Sequence, residues 1–189
     1  MPKRPSVSAL IFATFSVLYP LVAVVLLRKF GPTTAVVLVI VLLVARLAVP
    51  VLRGVPLLLT AALVPVIAAM GVVALFDQVL SIRLYPVFMN MAMLVTFGST
   101  LLHPPSMAER FARVLEPDLP QEGVRYTRTV TKVWTGFFCL NGTIALATAL
   151  QPGWNAWVLY NGFIAYLAAG LLFMGEYLIR QRVRRRGAR

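Results

Sequence analysis

Six stretches of this chain run for about the thickness of a bilayer, ~20 residues at ~1.5 Å each, almost without charge: Val7 to Leu27, Thr33 to Leu52, Val55 to Phe76, Leu84 to Leu102, Val133 to Leu150 and Trp154 to Gly175. Arg46 is the only charged residue inside them. In hydrocarbon such a run satisfies its own backbone only by coiling. The expected fold is therefore all-α, a polytopic transmembrane bundle of six spans forming a single integral membrane domain over residues 1–189. Composition excludes the soluble alternative: 60% of the residues are apolar and 13% charged, against ~45–50% and ~25% in soluble domains.

The 18 Lys and Arg outnumber the 6 Asp and Glu, and they lie between or after the apolar runs rather than on one soluble surface. Anionic lipid is thus the expected partner, and nucleic acid is not. With a cytoplasmic N-terminus, alternate sides receive 15 and 3 of the 18 cations, the minority being Arg28, Lys29 and Arg83. By the positive-inside rule, both termini, the loop 103–132 and the basic tail 179–189 face the cytoplasm of a bacterial inner membrane. A five-span arrangement, in which one early run enters without crossing, is the alternative. The first run reads as a retained helix, because it is longer than the ~7–15 residues of a signal-peptide core and no small-residue cleavage site follows it. Prolines 20, 50, 65 and 86 read as kinks.

The loop between spans four and five is the one substantial polar segment. Ser106 followed by Glu109 fits a capping box, and Met107, Phe111, Val114 and Leu115 share a helical face. A short cytoplasmic amphipathic helix over Met107–Leu115 is expected, ended by Pro117 and lying in the interface with its apolar face down. After Pro120 a second helical stretch leads into span five. On it Arg125, Arg128 and Lys132 recur at i, i+3 and i+7, within about 60° of one another at ~100° per residue. Helped by Arg110, and closed by Tyr126 and Trp134, these cations form a candidate site for an anionic lipid headgroup or lipid-linked phosphate. The bland alternative is a set of positive-inside anchors paired with Glu109, Glu116 or Glu122.

Polar residues at membrane depth are few: Asn90, Thr96, Ser99 and Thr100 in the fourth span, Asn141 and Thr143 in the fifth, Asn161 in the sixth. They are expected to face the bundle and hydrogen-bond across helices. Glu176 with Arg180 four residues on is expected as a terminal ion pair, with a proton carrier as the alternative.

No catalytic residues, metal ligands or cofactor are expected. His103 is the sole histidine and has Met107 four positions on, so the His-x4-Asp pattern of glycerolipid acyltransferases is absent. Asp77 and Asp118 are the only aspartates, which excludes the aspartate-rich magnesium sites of CDP-alcohol phosphotransferases and polyprenyl synthases. Gly-x-Ser-x-Gly, a Walker loop and HExxH are absent as well. The single Cys139 leaves no disulfide or thiol pair.

From Leu101 to Arg180 the chain carries Pro104 to Ser106 with Glu109-Arg110, Tyr126 to Arg128 with Val130-Thr131 and Trp134, Phe137-Phe138 with Asn141-Gly142, and Tyr160 to Gly162. In these motifs it resembles the uncharacterised inner-membrane family associated with aryl polyene and xanthomonadin-type pigment gene clusters of Gram-negative bacteria. More distantly it is similar to the intracellular septation protein A (YciB-type) family. The shared features are a polar loop with an Arg, a Trp entering the next helix, paired phenylalanines, an Asn-containing helix of small residues and a Trp-rich turn before the last span. The resemblance implies a cell-envelope role and no specific reaction.

Three functions of different classes are therefore expected to compete. One is a non-enzymatic scaffold or accessory protein with envelope or lipid-assembly partners. The second is a carrier or flippase for an anionic acyl or polyene lipid, with Asn141 and Asn161 along its path, and the third is an enzyme of unfamiliar chemistry.

Overall fold

The computed structural model describes residues 25–27, 29–44 and 61–187, with the backbone alone at 115 and 182–187. Every regular element among them is helical: α1 (Lys29–Val44), α2 (Leu63–Ala74), α3 (Gln78–Leu102), α4 (Met107–Leu115), α5 (Gln121–Leu150), α6 (Asn155–Leu159), a π turn (Tyr160–Ile164) and α7 (Ala165–Gly187). Among the described residues three helices are long and apolar enough to cross a membrane: α3, α5, and the continuous run Asn155–Gln181. Within the described residues, the two earlier apolar helices, α1 and α2, each cover 10–17 residues. The expected first span, apart from residues 25–27, and the parts of the second and third within 45–60 lie outside the described residues, as do Arg46, Arg53, Pro20 and Pro50.

Helices α3 and α5 begin on polar residues ahead of their apolar runs, at Gln78 and Gln121. Asp77 caps α3 by accepting the Leu80 N–H at 2.9 Å, so the helix starts before the apolar run at Leu84. Helix α5 begins after Pro120 and carries its polar stretch into the span as one rod of 30 residues. Helix α7 continues through the arginine tail to Gly187, because arginine is a good helix former and suits the negative end of the helix dipole.

Helices α3 and α5 make the most extensive pairing and run antiparallel, with α2 on another side of α3 and α4 laid across α5 near its start. Lipid tails are as apolar as leucine, so close packing and hydrogen bonds, rather than burial of apolar surface, hold such helices together. Gly142 permits the approach of α3 to α5: a Cβ there would lie 3.0 Å from Asn90 Cβ. Phe97 and Phe138 meet edge-on at 5.1 Å two turns away. Val39 and Leu43 of α1 pack with Leu63, Val66 and Met70 of α2 against α3. The buried Ser81 hydroxyl donates to Met70 O at 2.8 Å, tying α3 back to α2.

Candidate functional site

The deep amides form two linked groups. Asn141 Nδ2 donates to Asn90 Oδ1 at 2.9 Å, Asn90 Nδ2 donates to Pro86 O at 2.7 Å, and the Tyr160 hydroxyl donates to Asn141 Oδ1 at 2.8 Å. Two turns further along α5, Asn161 Nδ2 donates to both Thr148 Oγ1 at 3.1 Å and Trp157 O at 3.0 Å. Tyr160 and Asn161 open the π turn, whose wider winding brings two successive side chains onto α5. The hydroxyls of Thr96, Ser99, Thr100 and Thr143 all donate within their own helices, to Ala92 O, Thr96 O, Phe97 O and Cys139 O. A hydroxyl reaches the carbonyl one turn back more readily than a neighbouring helix.

Arg83 organises the end of the bundle near the α5–α6 turn. Its Nη2 donates to Thr148 O at 3.3 Å, Gly153 O at 2.7 Å and Gln151 O, while Trp154 covers the guanidinium at 5.3 Å. The fully buried Trp157 donates from Nε1 to Arg83 O at 2.8 Å. Gly153 makes the turn at φ +82°, a backbone conformation open to glycine.

At the opposite, basic end the structure corrects three expectations. The capping box is not formed: Ser106 Oγ is buried without a partner, and Glu109 bonds Arg113 at 2.9 Å. Threonines of neighbouring helices take the orphan donors of α4 instead, Thr100 Oγ1 from Met107 N at 2.9 Å and Thr131 Oγ1 from Ala108 N at 3.1 Å. Docking against α3 and α5 thus overrides the local motif. It also turns Ser106, Met107, Glu109 and Ala112 inward, and leaves Phe111 at 38% and Val114 at 60% exposure. Ser106→Ala is accordingly expected to leave α4 stable, whereas Thr131→Val costs about 1 kcal/mol by orphaning the Ala108 N–H. Hydrogen exchange over Met107–Leu115 distinguishes them, and faster exchange in Ser106→Ala than in Thr131→Val contradicts this assignment.

The second correction concerns the aromatic closure over the cations. Tyr126 points to α7, donating to Glu176 O at 3.1 Å and Glu176 Oε1 at 3.3 Å. Trp134 is buried beside Phe173 at 4.4 Å and Phe137 at 5.5 Å. Neither closes over the stripe; both pin α7 to α5. The third is the Glu176–Arg180 pair, which does not form because the Tyr126 hydroxyl draws the carboxylate toward α5.

Arg125, Arg128 and Lys132 are exposed along one flank of α5. Arg128 Nη2 donates to Leu101 O at 3.2 Å near the α3 C-terminus, and Arg110 Nε donates to Pro105 O at 2.9 Å in the following turn. None of these four cations forms an ion pair with a described carboxylate, since Glu109 is taken by Arg113. Among the described residues no three His, Cys, Asp or Glu side chains come together as a metal site. A groove of about 340 Å³ between α2 and α3 is apolar, lined by Pro65, Ala69, Phe88, Met91 and Val95 with Thr96 at one end.

Sequence reading missed Arg83 and Tyr160. The signal for Arg83 was a lone cation one residue before an apolar run, which looked like a topology charge. Tyr160 stood in the Tyr-Asn-Gly motif, yet only its asparagine was singled out. Compared with protein-family models, curated proteins and solved structures, the chain matches none.

Proposed function

We propose that the chain is a non-catalytic accessory or scaffold protein of a bacterial inner membrane, serving cell-envelope or lipid assembly, and that its basic end holds anionic lipid headgroups. The observation that carries this reading is the flank of α5 on which Arg125 and Lys132 are exposed with no side-chain partner among the described residues and Arg128 is held by a backbone carbonyl. Guanidinium groups without carboxylates are open to phosphate, which they grip as a fork. The deep amides support a scaffold over a carrier, because Asn90, Asn141 and Tyr160 bond to one another and Asn161 to Thr148, which holds helices together. The resemblance to the aryl polyene-associated family supports the envelope setting. The excess of cations at the α4 end supports its cytoplasmic orientation with both termini inside, and Phe111 and Val114 of α4 suit an amphipathic helix at that interface.

The second reading, a carrier for an anionic acyl or polyene lipid, is favoured by the apolar groove between α2 and α3. The test is native mass spectrometry of the full chain with its co-purified lipids. Arg125→Lys with Arg128→Lys keeps every charge, so insertion and the cytoplasmic reading of a reporter near Gln121 are expected to persist while bound anionic lipid falls. Full retention of the same lipids by the double variant makes the stripe a topology anchor and removes the headgroup site. Transbilayer movement of lipid in vesicles holding the purified chain selects the carrier over the scaffold.

A further inference from the structure

The exposed flank of α5 does not stop at its cations. Below Lys132 the same face continues through Gly136, Cys139 and Thr143 to Leu146 and Leu150, all exposed and three or four residues apart. A Cβ at Gly136 would meet nothing within 4 Å, and the Thr143 hydroxyl proton is already given to Cys139 O at 2.9 Å. Small side chains directly beneath the last cation thus leave open space along this face, a track that becomes apolar with depth.

The stripe itself has a direction. From Arg125 to Lys132 it extends about 10 Å along the helix axis at ~1.5 Å per residue. Because α5 is long and apolar enough to cross the membrane, that axis lies near the bilayer normal, within the ~20° tilt usual for such helices. Cations stacked along the normal match phosphates joined in series, one behind the other, leading away from a single chain. Phosphates bridged through glycerol, as in a diphosphatidyl lipid, lie side by side in the membrane plane and match this stacking less well.

We propose that this flank binds a single-chain lipid diphosphate. Arg125, Arg128 and Lys132 hold the diphosphate, and the Gly136–Cys139–Thr143 track receives the first part of the chain. The proposal rests on the headgroup reading above and names its ligand class. Arg128, with one guanidinium nitrogen fixed on Leu101 O, presents a pre-oriented donor set at the middle of the stripe.

The test is a titration of the full chain in detergent micelles with geranylgeranyl diphosphate, geranylgeranyl monophosphate, cardiolipin and inorganic pyrophosphate. The lipid diphosphate is expected to bind about tenfold tighter than the monophosphate, the gain from added charge-assisted contacts. Arg125→Lys with Arg128→Lys is expected to remove that preference. Gly136→Leu adds bulk where there is open space, so it is expected to fold and to weaken the lipid diphosphate about tenfold while leaving inorganic pyrophosphate unchanged. Equal binding of diphosphate and monophosphate, or tighter binding of cardiolipin, overturns the proposal and leaves the general headgroup reading standing. Inorganic pyrophosphate binding as tightly as the lipid, with Gly136→Leu indifferent, overturns the chain track. If wild type holds no anionic lipid of any kind, the headgroup reading falls as well.

Discussion

Arg83→Ala is expected to lower the stability of the folded bundle by about 3 kcal/mol, more than any other single truncation of a polar side chain in it. Each hydrogen bond to a charged donor contributes ~1.5–3 kcal/mol, and Arg83 Nη2 serves the carbonyls of Thr148, Gln151 and Gly153 together. The three share one nitrogen and do not add fully. Losing them leaves the Thr148 carbonyl of α5 and the Gln151 and Gly153 carbonyls of the following turn without this donor, and uncovers Trp154, which lies 5.3 Å from the guanidinium. Arg83→Lys keeps the charge but not the planar fork, and is expected to recover less than half of the loss. The proposed topology offers no competing account, because on it removing Arg83 would leave 15 cations against 2 and strengthen the bias. Unfolding in mixed SDS micelles measures the effect; an Ala variant that unfolds at the wild-type SDS fraction refutes the clamp.

Asn141→Leu is expected to cost about 2 kcal/mol, because it strands Asn90 Oδ1 and the Tyr160 hydroxyl in a dry interior at once. Single interhelical hydrogen bonds in membranes average ~0.6 kcal/mol and reach ~1.7, so the size of this effect depends on one amide serving two partners. Asn90→Leu combined with Asn141→Leu is expected to cost less than the two singles together by about 1 kcal/mol, since neither amide is then left facing an unpaired group. Strict additivity in this cycle excludes the coupling. The same crossing explains why glycine follows Asn141: a Cβ at 142 would lie 3.0 Å from Asn90 Cβ and push α3 away from the amide that must reach it.

Local motifs were legible wherever the geometry lies within one helix. Three cations at i, i+3 and i+7 stand on one flank of any α-helix, and the structure exposes all three. Motifs that need a partner chosen from elsewhere were misread. Ser106 and Glu109 have the spacing of a capping box, but Thr100 and Thr131 reach the α4 donors first. Glu176 and Arg180 have the spacing of an ion pair, but Tyr126, 50 residues away in the chain, takes the carboxylate. A spacing rule states which contacts a helix permits, and packing then sets which of them is formed.

By itself the sequence determined that the described chain is helical, because apolar runs of bilayer length have no other way to satisfy their backbone. It also determined where the charge gathers and that the deep polar residues are amides and hydroxyls rather than ions. Only the tertiary structure decided what each of those groups bonds to. Asn90 and Asn141 are 51 residues apart, and Arg83 and Gly153 are 70 apart. Those separations are bridged by the antiparallel register of α3 on α5 and by the turn at Gly153. Helical period acts over a few residues, whereas register is set by the fit of whole faces, and no local pattern records it.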